Sequence, residues 1–218
     1  FASVAAARYY SGSELGAFFV LVGLVALGGT VTNFRLDQYA YKFVRESRPA
    51  GDDRRTADHI AVAIAVSALG SAVLSFFIFT TDVPDLVEPW MLVGALAVCI
   101  FASALRRLSK FLALIDGKTT ASVVLEMMMF NFLIVALVLG ASFLAPSFRL
   151  SAIMLITIAS VISGMTSMIW ILRHSMTGWR NITSVILRGR QSGGILAAAP
   201  PTMLSQLWSI VFTRGDVL

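Results

Sequence analysis

Six long apolar runs, separated by short charged connections, set the pattern of this chain. Residues 15–34 carry no charge and lie between Glu14 and Arg35; residues 60–81 and 89–105 are also uncharged. The third run reaches membrane length once Leu86 and Val87 join it. Residues 119–148 are interrupted only by Glu126, and Pro146 should stop that helix. Residues 150–172 and 191–213 complete the set, the last containing Pro200 and Pro201. A helix needs about 20 residues to cross the hydrocarbon core. The runs therefore predict membrane helices near 14–34, 58–81, 86–107, 119–145 and 150–172, with a sixth from 191 onward.

The polar positions between the runs are as informative. Arg35, Lys42, Arg45, Arg48, Arg54 and Arg55 follow the first run. Arg106, Arg107, Lys110 and Lys118 follow the third, and Arg173, Arg180, Arg188 and Arg190 follow the fifth. The alternate connections hold only Arg149, or two basic residues if Arg8 before the first run is counted, against fourteen on the other side. The positive-inside rule predicts that the fourteen are cytosolic and that the residue 1 end is external. Three basic connections also carry apolar stripes at helical spacing: Leu36, Tyr39, Ala40, Phe43 and Val44; Leu108, Phe111, Leu112 and Ile115; and Trp179, Ile182 and Ile186. They are expected as short helices lying in the cytosolic interface, with simple extension of the spanning helices as the other reading. Small residues recur every four positions at Ala63, Ser67, Ser71 and Ser75, and again at Ser160 and Gly164. Small side chains let helices approach closely in lipid, so the second run is expected inside the bundle.

Composition sharpens the class. Hydrophobic residues make up 57% of the 218 residues and charged residues 13%, against about 25% charged in soluble domains. The fold class is all-α, a polytopic membrane helix bundle. The net charge of +5 does not point to nucleic acid, because the cations sit in gaps between spans. Cys99 is the one cysteine, so no internal disulfide and no metal cluster is expected, and no cofactor motif is present. His59 and His174 fall at helix ends and read as interfacial residues. No paired carboxylates, Gly-rich phosphate loop or Ser–His–Asp arrangement points to an enzyme. Phe1 is not a methionine and Leu218 closes an apolar run, so further sequence is expected on both sides.

Three segments carry a family resemblance. ARYYSGSELGAFFVLVGLVALGG (7–29) resembles the loop and second helix of polysaccharide flippases. FRLDQYAYKFVRES (34–47) resembles the basic exit from that helix, and AAAPPTMLSQLWSIVFTRGDVL (197–218) resembles the seventh helix. The family is the oligosaccharide or O-antigen flippase branch of the multidrug/oligosaccharidyl-lipid/polysaccharide exporter superfamily. The resemblance implies that the six runs are helices two to seven of a two-lobed transporter. Residues 1–190 would then be most of the first lobe and 191–218 the first helix of the second, the lobes being parallel repeats about an axis along the membrane normal.

It further implies translocation of a lipid-linked oligosaccharide, a polysaccharide precursor, across the bacterial cytoplasmic membrane by alternating access. The expected partners are that substrate, membrane lipids, a coupling ion (H+ or Na+) and the second lobe. Other readings are a cation-coupled multidrug exporter of the same superfamily, a membrane-embedded glycan polymerase or acyltransferase, and a structural membrane subunit. Candidate substrate- or ion-path residues are Arg35, Glu126, Arg214 and Asp216. Arg35 either serves topology and lipid headgroups or meets a diphosphate at the cavity mouth. Glu126, about 12 Å of helix beyond Lys118, either faces a cavity or reaches water or a basic neighbour near the cytosolic side. Arg214 and Asp216 are interfacial if the last helix starts near Ile195, and embedded if Pro200 and Pro201 form its first turn.

Overall fold

The computed structural model describes residues 2–32, 41–42, 44–46, 53–80, 89–144 and 151–175. Among them every regular element is helical. A short helix α1 (Ala2–Tyr9) precedes α2 (Gly12–Thr32), α3 (Asp53–Thr80) and α4 (Pro89–Ile115). A bent span follows, made of α5 (Thr119–Val123), a π-turn (Val124–Met128) and α6 (Met129–Leu144); α7 (Ala152–Ser175) closes the described chain. Among the described residues four helices are long and apolar enough to cross a membrane, or five where the bent pair counts as one span. The chain is thus an all-α, multi-pass membrane bundle. These helices overlap the first five expected runs, α4 running on to Ile115, and the sixth run lies outside the described residues.

Local chemistry explains where the helices begin and end. Ser11 caps α2: its Oγ donates to Glu14 Oε2 at 3.2 Å and its backbone N–H reaches the same oxygen at 3.5 Å, the reciprocal half of a capping box. Ser151 caps α7, its Oγ accepting the Met154 N–H at 3.3 Å. At the end of α4, Gly117 sits at φ 70°. The Lys118 N–H then reaches back to Ala113 O at 2.9 Å and the Gly117 N–H to Leu114 O at 3.1 Å. This pair of bonds is a Schellman motif, and the left-handed φ is why the position is a glycine. The reversal is tight, so α5 returns along α4.

Packing is organised around α4, which touches α2, α3, α5, the π-turn and α7. Its close approach to α7 depends on Gly164, where an added Cβ would lie 2.7 Å from Ala102 Cβ. One apolar core joins α1, α2, α4, α6 and α7 through Phe18, Val25, Leu96, Ile134 and Leu155. A second gathers Val44, Ile60, Leu105, Leu108, Leu112 and Ile171, bringing the start of α3 to the ends of α4 and α7. The start of α3 and the ends of α4 and α7 therefore share one end of the described bundle. At the other end of α2, Tyr10 is buried and its ring stands 6.0 Å from Phe18. Burial pushes its phenol well above the ordinary value, and Tyr9 and Glu14 push the same way.

Two expectations need correction. The stripe Leu108, Phe111, Leu112 and Ile115 is not a separate interfacial helix. It continues α4 without a break, and Leu108 and Leu112 are buried; a buried stripe stays with the helix that lets it pack. Of the first stripe only Val44 is described, and it is fully buried; Tyr41, off the stripe, meets the Phe111 ring at 6.0 Å. Leu36, Tyr39, Ala40 and Phe43, like the whole third stripe, lie outside the described residues. The second run, now α3, is not the inner helix. Ala63, Ser67, Ser71 and Ser75 do face inward, but only 33% of its span is buried against 61% for α4. A stripe of small residues marks one contact face, and the opposite face of α3 is apolar and exposed.

Candidate functional site: a charged rung pair at the bent span

Cys99, Ser103, Arg106 and Lys110 follow one another along α4 at spacings of four, three and four. Residues so spaced share one helix face. The first contact along that line is weak: the Cys99 thiol points to Thr157 Oγ1 of α7 at 3.8 Å. The next members meet the bent span. The Arg106 guanidinium lies 4.3 Å from the centroid of the Phe130 ring. Lys110 Nζ is 2.5 Å from Glu126 Oε2, with the two side chains 31% and 23% exposed. Arg106 and Lys110 are four apart, as are Glu126 and Phe130, and the partners run in opposite directions. The ion pair and the cation–π contact are therefore neighbouring rungs between antiparallel helices.

Glu126 lies in the π-turn itself. A π-turn inserts one residue into the helical register, which rotates everything downstream by about 100°. Here it accompanies a bend of 46° between the two halves of the span. Such turns concentrate at functional places, and they weaken the hydrogen-bond ladder where they occur. The bent span is thus held to α4 by charge at its least regular point.

Arg106 is the unusual member. It is 7% exposed, within the field of Arg107 and Glu126. Pro89 lies seventeen residues earlier, about 26 Å along the axis, so Arg106 falls just inside a hydrocarbon core of about 30 Å measured from that end. An ionisable residue at that depth is expensive and marks function more often than packing. Counting it with the flanking charges of the third run misses it. The signal that finds it is the four–three–four line from Cys99 to Lys110, which places Arg106 on the inner face.

Of the sequence candidates, Glu126 is in place and engages Lys110, the basic-neighbour alternative of its two readings. Arg35, Arg214 and Asp216 lie outside the described residues. Among the described residues no group of three His, Cys, Asp or Glu is disposed to hold a metal ion. Both ring nitrogens of His59 are enclosed. A small crevice opens between α2, α4 and α7; Cys99 and Thr157 bring the only polar side chains to a lining otherwise made by Leu21, Val25, Leu92 and their apolar neighbours.

No protein-family model, curated protein or solved structure matches the chain. The class defined by fold and site is a polytopic helical membrane protein with an ion pair across a broken span.

Proposed function

We propose that this chain is part of a flippase that moves a lipid-linked oligosaccharide across the bacterial cytoplasmic membrane by alternating access. The observation that carries the reading is the broken span tied to α4 by Lys110 and Glu126. Alternating access requires one group of helices to move against another, and interrupted spans are where transporters concentrate such motion and their polar groups. An exposed π-turn face beside a part-exposed ion pair supplies a joint that can open without unfolding a regular helix. The resemblance of 7–29 and 34–47 to the second helix of polysaccharide flippases and its basic exit supports the same assignment. The need for a protein is physical: sugar hydroxyls and phosphate charges are costly to desolvate in hydrocarbon.

The basic end of the bundle is assigned to the cytosol on the charge asymmetry. With Cys99 replaced by Ala, single cysteines at Ser11 and Ser47 test this with an impermeant thiol reagent; labelling of Ser47 alone from outside intact cells inverts the topology. The drug-exporter reading wants a free carboxylate for organic cations, and the engagement of Glu126 by Lys110 counts against it. The functional test is deletion of the gene followed by complementation with the full-length protein. The expected result is loss of surface glycan, build-up of its lipid-linked precursor on the cytosolic face, and rescue by the wild type. Normal surface glycan in the deletion strain overturns the proposal. Within it, Glu126→Lys should impair export and the exchanged pair Lys110→Glu/Glu126→Lys should restore part of it.

A further inference from the structure

Among the described residues Arg106 makes no ion pair, although Glu126 lies within its field. Lys110 is neutralised by Glu126. Arg106 is 7% exposed, rests 4.3 Å from the Phe130 centroid, and donates a hydrogen bond to no acceptor among the described residues. A guanidinium has five N–H donors in a planar fork, and a ring face satisfies none of them as an acceptor would. A guanidinium so enclosed with no direct carboxylate partner is costly to hold. The fork geometry suits the paired oxygens of a phosphate.

Position narrows the source of that phosphate. Arg106 falls just inside the basic edge of the hydrocarbon core, where headgroups meet acyl chains. Val123, Val124 and Met128 flank the π-turn with exposed apolar side chains, which lipid tails would cover. Basic positions between helices on the cytosolic side are where anionic headgroups settle. Glu126 does not repel an anion here as a free carboxylate would, because Lys110 already pairs with it, and Arg107 adds a further positive charge nearby.

We propose that Arg106 anchors a phosphate-binding site, filled by the headgroup of a resident anionic phospholipid lodged where α4 meets the π-turn. Arg106 takes the phosphate oxygens on its fork, Phe130 backs the guanidinium, and Lys110 keeps Glu126 paired one turn away. The site lies among helices that touch one another within the described bundle. It is independent of the transport reading: a resident lipid would be held whether or not the protein carries a glycan.

The experiment uses the full chain purified in mild detergent. Native mass spectrometry should show one phosphatidylglycerol retained per chain after other lipids are stripped, with phosphatidylcholine not retained. Phosphatidylglycerol should also raise the midpoint of thermal unfolding, and inorganic phosphate alone should not. Arg106→Gln should weaken phosphatidylglycerol binding about tenfold or more, the loss expected for charge-assisted hydrogen bonds, while Arg107→Gln should stay within about twofold. Wild-type affinity in Arg106→Gln overturns the site. Full stabilisation by inorganic phosphate overturns the lipid source and assigns a soluble anion instead. Should Arg106→Gln fail to accumulate, the wild-type measurement decides alone: a retained phosphatidylglycerol supports the site and its absence rejects it.

Discussion

The two longest helices make opposite use of nearly the same length. α3 has 28 residues and α4 has 27. Of the four single spans, α3 is the most apolar and α4 the least. A water-soluble fold would bury the first and expose the second. Here α4 is the enclosed helix, and α3 turns Leu69, Val73, Phe76 and Phe77 outward, Leu69 being 72% exposed. In lipid the outer surface costs an apolar residue nothing, so hydrophobicity stops deciding what goes inside. Size and charge decide instead. On α3 the inner face is made of serines whose hydroxyls turn back on their own helix: Ser71 Oγ donates to Ser67 O at 2.6 Å and Ser75 Oγ to Ser71 O at 2.7 Å. That leaves a small, smooth surface for a neighbour. On α4 the inner face carries the groups that lipid would reject, Arg106 and Lys110.

This contrast can be broken by substitution, beginning with the largest expected effect. Leu69→Arg puts a charge on the outer face of α3 near mid-span. It should cost about 3 kcal/mol of insertion free energy, read as loss of the integrated form in a membrane-insertion assay. Undiminished insertion would mean that this face is not in lipid. Gly164→Leu attacks the opposite kind of surface, the α4–α7 contact at Ala102. It should lower stability by about 1–3 kcal/mol through overpacking, measured by thermal unfolding in detergent. An unchanged midpoint would separate the two helices.

Lys110→Ala should cost about 1 kcal/mol, and a double-mutant cycle with Glu126→Ala should recover a coupling of similar size. Additive single effects would dissolve the rung. The smallest effect is expected for Phe76→Ala, within about 0.5 kcal/mol, since lipid chains replace the lost contacts. A larger loss would place a protein partner on that face.

The spans were legible because each is an uncharged run ended by charge, a signal that needs no tertiary knowledge. The small-residue stripe on α3 correctly named a contact face. It could not say how much of the helix is enclosed, because enclosure depends on neighbours on every side. Helix α1 was read only as a lead into α2. Its burial of Ala2 and Ala6 depends on α6, more than a hundred residues later. The π-turn has no pattern of its own in VLEMM, because an inserted residue conserves composition and only shifts register. Glu126 was legible as an oddity in an apolar run, and its partner was not, since Lys110 was counted with the flanking charges. Arg106 is hidden for the same reason, although the sequence carries its periodicity with Cys99 and Lys110.

The tight reversal at Gly117 has a consequence for biosynthesis. Fifteen residues lie between Lys110 and Glu126, and the Schellman turn between them folds locally. Closing so short a loop costs little chain entropy, and nothing made later is required for it. The two opposite charges can therefore meet as soon as the hairpin of α4, α5 and the π-turn has left the ribosome, ahead of α7. The pair would enter the bilayer already neutralised, as a dipole rather than two ions. The turn thus lowers the barrier to inserting the least apolar span of the chain at the step where, unpaired, that span would be hardest to admit.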